Sequence, residues 1–573
     1  MAEYFSPGVY VEEFDSGPVP MQGVGTSTAG FIGVAEKGPV IGAPILVTGP
    51  ADFTRKFGGY LQSTEFGQYR YLAYAVNNFF VNGGSRAFIM RVAPPDAEVA
   101  SAKCVEGKDG LVSIKARNPG VWGNSISLTF SETNECKSQV LEDLGEGKYR
   151  LKNAIGFDVG DVVTVDGVDA EEFNVVTLTK GNVVTFAKPF TATVVDTALL
   201  PKVKIKTCEM NVVVEYGETT EKYENVSFNT SIPAFIEKVM AKSELVQLEA
   251  KPVEEVKSPI NIIKEVFGAE GDEVKISLKG GLNGSAAKLT DDDYIGKDGG
   301  PGRRTGLQAF LDNSDVNIMA VPGITSANVQ LALVSHCENL ASRFAVLDMP
   351  YEARSTTDLL KHRDIVDSDY CAMYHPWLRV FDPLDKRDTY IPPSGSIIGI
   401  YARSDNARGV HKAPANEVVA NCTGLSVNYN VGEQDMLNPK GVNLIRKFPG
   451  AGIRVWGART ATSRALWKYI NVRRLFIYLE ESIKANTNWV VFEPNDQMLW
   501  TRVQRSIETF LEGVWRSGAL VGGGPGDSFF VDIGPNTMTK DDIDNGRLIC
   551  VIGVAPVKPA EFVIFRITQK TGE

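Results

Sequence analysis

A series of closely spaced β-prone segments occupies the second quarter of this chain and limits the folds that it can adopt. Val, Thr and Phe dominate four short runs, and Gly and Asp separate them, at 161–165, 173–177, 182–186 and 192–195. Parallel pairing needs a crossover of a dozen or more residues, so strands this close must connect through tight turns. The spacing therefore predicts a small barrel or sandwich.

An alternating pattern of strands and helices stands on both sides of that segment. Before it, apolar runs at 31–34, 45–48 and 87–92 accompany a helical pattern near 69–80. After residue 285 the pattern returns, with strands at 316–321 and 343–347, a helix at 327–339, and loop with one strand (397–401) from 388 to 412. The predicted fold class is α+β multidomain: a mixed α/β core with N- and C-terminal arm strands and an inserted β-rich outer domain.

The length of 573 residues exceeds the size at which a single hydrophobic core stops growing. We predict an N-terminal arm at 1–20 and a middle α/β domain formed by 21–103 and 285–440. A β-rich outer domain spans 104–284, with a nested β subdomain at about 137–203. An inner α/β domain with the C-terminal arm spans 441–573.

Both ends of the sequence are predicted as strands without an obvious partner. Residues 8–14 are β-prone and are bounded by Pro7, Pro18 and Pro20, and the last strand is predicted at 562–568, after another at 548–554. An unpaired strand exposes a row of N–H and C=O groups. Each end therefore pairs within its own chain, which is the usual case, or adds to the sheet of another subunit.

Two amphipathic helices precede the last strands. One apolar stripe runs from Val472 to Ile483 and a second from Val503 to Trp515, with Asp496 as the predicted N-cap of the second helix. Residues 440–520 contain 13 Lys and Arg against 6 Asp and Glu, although the whole chain has a net charge of −11. This asymmetry predicts a basic face that meets an acidic partner; a chance cluster on a solvated surface is the alternative. The overall negative charge argues against direct binding of nucleic acid.

No residue pattern predicts catalysis, a cofactor or a bound metal. His336 and Cys337 are neighbours on a predicted helix and point about 100° apart, so they do not form a nucleophile–base pair. The sequence contains no HExxH, GxSxG or Walker motif, and its seven scattered cysteines form no CxxC pair, which is typical of reduced thiols in a protein made in a cytoplasm. We expect no secretory signal and no membrane insertion.

Several phrases are similar, in the same order, to those of the phage tail sheath family. They are FSPGVYVEE at 5–13, NPGVWGN at 118–124, RTGL at 304–307, DVNI at 315–318, VPG at 321–323, YHPW at 374–377, PPSG at 392–395, GVHKAPAN at 409–416, LNP at 437–439, WGAR at 456–459, YINVRR at 469–474 and PAEF at 559–562. They cover roughly 1–100 and 285–573, whereas 137–203 contains no family phrase.

This resemblance implies a structural protein of the virion tail, assembled in the host or producer cell cytoplasm. Its subunits stack as hexameric rings around an inner tail tube, together with baseplate and tail terminator proteins, and contract to drive the tube through a cell envelope. The terminal arms resemble those that add strands to a neighbour's C-terminal sheet. That role is assigned to Val9, Tyr10, Val11, Phe562, Val563, Ile564 and Phe565.

The same resemblance places the basic helical region against the tube. Arg502, Arg505 and Arg516 are the candidate tube contacts; the alternative is that they only solvate the helix or pair with Glu508 and Glu512. Sheaths of non-phage contractile injection systems and bacteriocins share the core phrases, and neighbouring capsid and terminase genes separate the two classes. A glycan-binding surface protein built around the β-rich insertion is a more distant alternative.

Overall fold

The computed structural model describes residues 21–108, 110–166, 172–191, 202–252 and 256–564. The predicted strands at 8–14 and 192–195, and the end of the one at 562–568, lie outside these residues. The first α/β segment comprises β1 (Ala29–Val34), β2 (Ile45–Val47), α1 (Pro50–Phe57), α2 (Ser63–Phe66), α3 (Leu72–Val81) and β3 (Ala87–Val92).

The next segment is rich in strands, as its turn-separated Val and Thr runs predict. Its strands are β4 (Val112–Ala116), β5 (Ser127–Thr133), β6 (Lys137–Asp143), β7 (Lys148–Leu151), β8 (Val162–Val165), β9 (Phe173–Lys180), β10 (Val183–Phe186), β11 (Lys204–Thr207), β12 (Glu209–Tyr216), β13 (Thr219–Val226), β14 (Val246–Ala250) and β15 (Glu273–Ser277). Its helices are α4 (Ile236–Met240) and α5 (Pro259–Phe267).

Within this segment β6 to β11 close into a six-stranded barrel, in the order β10-β7-β6-β11-β8-β9. The barrel alternative of the sequence prediction is therefore confirmed. Buried Val140, Leu151, Val176 and Val184 fill its interior. The barrel is inserted between β5 and β12, which pair with each other in a separate four-stranded sheet, β13-β12-β5-β15.

The α/β pattern then resumes. Its elements are α6 (Asp291–Ile295), β16 (Ile318–Ala320), α7 (Ala327–Leu340), β17 (Phe344–Asp348), α8 (Thr356–Arg363), β18 (Cys371–His375), β19 (Leu378–Asp382), β20 (Arg387–Ile391), α9 (Ser394–Arg408), β21 (Glu417–Val418), β22 (Gly424–Leu425), α10 (Val431–Leu437), β23 (Val442–Phe448) and β24 (Gly452–Val455).

One nine-stranded sheet unites the two α/β segments, in the order β2-β3-β1-β16-β17-β18-β23-β24-β21. β1 pairs in parallel with β16, with Ala29 opposite Ile318, so the strand-rich segment is an insertion into this sheet. The sheet also extends past the predicted domain boundary at residue 440, because β23 pairs in parallel with β18 and antiparallel with β24. Buried apolar side chains cover both of its faces.

The strand predicted at 397–401 is wrong: these residues lie in the middle of α9. Ile397, Ile398, Ile400 and Tyr401 are all fully buried, so this part of the helix is buried on every side and shows no helical periodicity in sequence. Gly399 lets α9 approach α3, since a Cβ there would lie 2.5 Å from the carbonyl oxygen of Phe79.

The C-terminal elements are α11 (Ile470–Asn486), α12 (Gln497–Arg516), α13 (Pro525–Ser528), β25 (Phe529–Ile533), α14 (Lys540–Asp544) and β26 (Cys550–Val554). β25 and β26 form a two-stranded antiparallel sheet, and the sequence reasoning missed β25. Among the described helices, none is both long and apolar enough to cross a membrane.

Candidate assembly site

The two C-terminal helices and the β25–β26 sheet share one apolar core. Asp496 caps α12, its side chain accepting a 2.9 Å hydrogen bond from the backbone N–H of Leu499, as predicted. The buried side chains of this core are Leu475, Leu479, Leu499, Val503, Ile507, Phe510, Leu511, Val514, Phe529, Val531 and Ile533. The helices thus cover one face of the sheet and leave the opposite face to solvent, where Phe530 and Val551 are exposed.

The exposed face of α12 carries the three candidate arginines. Steps of three and four residues place Met498, Arg502, Arg505, Thr509, Glu512 and Arg516 on one stripe. The stripe extends over about 27 Å at 1.5 Å per residue. The Arg516 guanidinium donates to Glu512 at 2.5 Å, so the predicted alternative of a local ion pair holds for that residue. Arg502 and Arg505 are exposed and form no ion pair among the described residues.

An exposed apolar segment leads into this stripe and was missed by the sequence reasoning. Phe492 is fully exposed (101%) and adopts a positive φ of 71°, and Val491 and Met498 are also exposed. The Trp489 ring lies 4.8 Å from the guanidinium carbon of Arg502. The signal in the sequence is the apolar run Trp489-Val-Val-Phe492 directly before Glu-Pro-Asn-Asp, an apolar stretch with no helical or strand period.

Three arginines of the basic stretch 440–520 form ion pairs inside the subunit. Arg459 pairs with Glu561 at 2.6 Å, and Arg474 pairs with Asp405 at 2.6 Å. Arg473 lies 3.5 Å from buried Asp369 and 3.0 Å from Glu480. These arginines bind the C-terminal elements to the rest of the subunit. The exposed basic residues of the region are the three arginines of the α12 stripe together with Lys440, Lys447, Arg464 and Lys484.

The β26 edge of the two-stranded sheet is open. Residues 550–554 pair only with β25 among the described residues. The far edge of β25 is partly covered, because the Gln504 side-chain amide donates to the Val531 carbonyl at 3.2 Å. An open edge with unpaired N–H and C=O groups is a template for an added strand.

The root of the N-terminal arm lies along α11. Asn486 exchanges two hydrogen bonds with the backbone of Gln22, at 3.2 and 2.8 Å, and the Val24 N–H donates to the Ser482 hydroxyl at 3.1 Å. The Thr26 carbonyl accepts from Arg474 at 2.9 Å. The predicted arm residues Val9, Tyr10 and Val11 precede this root and lie outside the described residues.

The C-terminal arm begins directly after Glu561, a residue fixed by several hydrogen bonds. The Glu561 carboxylate accepts hydrogen bonds from Asn438 (2.7 Å), Arg459 (2.9 and 2.6 Å) and Tyr469 (3.3 Å). Directly afterwards Phe562, Val563 and Ile564 are 73%, 69% and 80% exposed and have no strand partner within the described chain. Phe565 lies outside the described residues.

The histidine and cysteine considered as a catalytic pair belong to the core. Cys337 is fully buried, and burial raises the pKa of its thiol to about 12. His336 lies 3.2 Å from the Arg343 guanidinium, and burial, with that positive charge, lowers the pKa of the imidazole to about 4. Neither group faces a substrate-accessible surface, and both are accounted for by packing.

Known protein families match the second half of the chain. A model of the phage tail sheath protein central domain matches residues 287–461, and a model of the phage tail sheath C-terminal domain matches residues 462–570. The two matches are contiguous and include α11, α12 and the β25–β26 sheet. The chain belongs to the phage tail sheath family.

Individual relatives agree with this assignment. The tail sheath protein of Escherichia phage P2 is 24% identical over 355 residues, which are 60% of this chain and 84% of that protein. The tail sheath protein of Burkholderia phage BcepMu is 25% identical over 305 residues, 50% of this chain and 62% of that protein.

The fold also matches a solved structure along its whole length. The sheath complex of PVC, an extracellular contractile injection system, in the contracted state is 20% identical and has a TM-score of 0.53. The alignment covers 100% of this chain and 99% of that one. At this identity the likeness shows a shared fold.

Proposed function

We propose that this sheath protein polymerises as stacked hexameric rings around an inner tail tube, and contracts to drive the tube through a target cell envelope. One observation carries the proposal: the roots of both predicted arms contact α11 and the residue before it, in the same unit as the β25–β26 sheet with its open edge. A subunit of this design is suited to exchange strands with copies of itself.

In this proposal residues 8–14 and 562–565 are arms that extend the β25–β26 sheet of neighbouring subunits. Main-chain hydrogen bonds supply the pairing, so it tolerates different side chains. The exposed apolar residues Phe562, Val563 and Ile564 gain partners on assembly. Strand links of this kind hold while the globular parts rotate as rigid bodies, which is what contraction requires.

The proposed placement puts α12 against the tube and the barrel outside. The barrel contains no sheath phrase and lies outside both family matches, which supports a peripheral position. Four parts are proposed: the arm at 1–20, the central α/β domain, the outer insertion with its barrel, and the C-terminal unit. Baseplate and tail terminator proteins are the proposed partners at the two ends of the polymer.

Reversing two charges on the α12 stripe should weaken tube binding while self-assembly is retained. In Arg502→Glu/Arg505→Glu, exposed contacts worth about 0–1 kcal/mol each become repulsive toward acidic tube groups. A loss of about 1.4 kcal/mol per subunit lowers affinity about tenfold. Co-sedimentation of the variant with purified tube protein measures the effect.

The matched control is Arg86→Glu/Arg303→Glu, which makes the same change in net charge at exposed sites away from α12. The control should bind tube like the unaltered chain. Equal tube binding by both double variants would remove α12 from the tube contact, and loss of cylinders in the α12 variant would assign these arginines to sheath contacts instead.

Negative-stain microscopy of the purified chain tests the proposed function. Long hollow cylinders are the expected result. A monodisperse monomer at high concentration would contradict self-assembly.

A further inference from the structure

Helix α11 touches the roots of both arms. Arg474, Tyr478, Ser482 and Asn486 follow one another at four-residue steps and form a single ridge of the helix. The segment 22–26 lies along this ridge, and Gly23 lets it approach closely, since a Cβ there would overlap the Tyr478 hydroxyl oxygen. The root of the N-terminal arm is therefore bound along most of the length of α11.

The start of α11 holds the other arm. Tyr469, the residue before the helix, donates to Glu561, and Asn471 in the first turn donates to the Val557 carbonyl at 3.1 Å. Burial alone would raise the pKa of Glu561, but hydrogen bonds from Arg459 and Asn438 hold it below its usual range. Glu561 is thus an ionised anchor, fixed from several sides.

The two arginines that hold the arms, Arg459 and Arg474, are themselves fixed by other residues. Arg459 exchanges backbone hydrogen bonds of 2.7 Å with the side chain of Asn443, a fully buried residue of β23. Arg474 is held by the buried Asp405 on α9. The C-terminal arm cannot shift at its exit without breaking the charged hydrogen bonds of Glu561. The root of the N-terminal arm cannot shift at Thr26 without breaking its bond from Arg474. Hydrogen bonds to charged groups are worth about 1.5–3 kcal/mol each.

We infer that α11 is the link through which tension passes between the two arms of a subunit, with Glu561 and Asn486 as the positioning residues that fix where each arm leaves. The inference rests on the proposed strand exchange. A force on the N-terminal arm acts on α11 through Asn486, Ser482 and Arg474. The helix transmits this force to the C-terminal arm through Tyr469, Asn471 and Glu561.

The test uses assembled cylinders of the full chain with Glu561→Gln, Asn486→Ala and both changes together. Lys484→Ala is the control, because Lys484 lies on the same helix, is exposed and contacts neither arm. The measured quantities are the melting temperature of the monomer and the rate at which cylinders break under fixed shear. Each single change should speed failure of its own anchor about tenfold, the effect of losing about 1.4 kcal/mol. With two equal anchors in series, the overall breakage rate should then rise about fivefold, with the control unchanged.

The double variant decides whether the anchors lie on one path. Breakage rates of links in series add, so the double change should raise the overall rate about tenfold; losses from one shared barrier would multiply to about a hundredfold. Breakage at the unaltered rate, a hundredfold double effect, or an equal effect of Lys484→Ala would overturn the inference. If the unaltered chain forms no cylinders, the proposed function fails, and that outcome is separate from all of these.

Discussion

A chain that lacks residues 1–20 is expected to fold normally and to form no cylinders. The anchoring bonds of Gln22, Val24 and Thr26 to α11 remain, and all described elements begin after residue 20. What is lost is the strand that extends a neighbour's sheet, and with it the main-chain hydrogen bonds between subunits. Sedimentation velocity and negative stain measure assembly, and circular dichroism measures the fold.

Point changes in the arm separate backbone pairing from side-chain contact. Val9→Pro/Val11→Pro removes two N–H donors and should prevent assembly, because proline cannot take part in a strand ladder. Val9→Thr/Val11→Thr keeps the donors and the strand propensity, so cylinders should form. Cylinders from the proline variant would show that this arm does not act by strand addition.

Asp405→Ala should produce a large loss of stability, because Asp405 on α9 pairs with the buried Arg474 on α11. Asp405 and Arg474 have side chains only 3% and 4% exposed, and Asp405 also accepts from the Thr26 hydroxyl at 2.7 Å. Removing the carboxylate leaves a buried guanidinium without its partner, which costs about 3–5 kcal/mol. Urea unfolding followed by tryptophan fluorescence measures the loss.

Asp315→Ala is the matched control, because it makes the same chemical change in the exposed pair with Arg86. An exposed pair contributes about 0–1 kcal/mol, so this variant should unfold almost like the unaltered chain. Equal effects of the two changes would contradict the structural role of the Arg474–Asp405 pair. Since Arg474 also holds Thr26, Asp405→Ala should further weaken assembly.

Local sequence pattern predicted the elements whose stability is local. Three of the six barrel strands, β8, β9 and β10, follow from Val and Thr runs between Gly and Asp turns. Helix α12 follows from its apolar stripe and the Asp496 cap. The pattern failed at α9, whose residues 397–401 are buried on all sides and resemble a buried strand. It also missed β25 and the exposed run that ends at Phe492.

Other features depend on contacts that sequence spacing does not reveal. The pairing of β1 with β16 crosses the whole insertion, and the pairs Arg459–Glu561 and Arg474–Asp405 join residues distant along the chain. A count of charge along the sequence could not distinguish these buried arginines from the exposed Arg502 and Arg505. A strand that pairs only with another subunit has no partner pattern in its own sequence, so the arms remain a prediction.

In the proposed assembly, the ends of one subunit complete the C-terminal sheet of another. A cryo-EM reconstruction of the assembled chain at side-chain resolution tests it most directly, by tracing residues 8–14 and 562–568. Both segments are expected to be strands hydrogen-bonded into the β25–β26 sheets of neighbouring subunits. Tracing either segment as a strand within its own subunit, with the β26 edge left open, would contradict it.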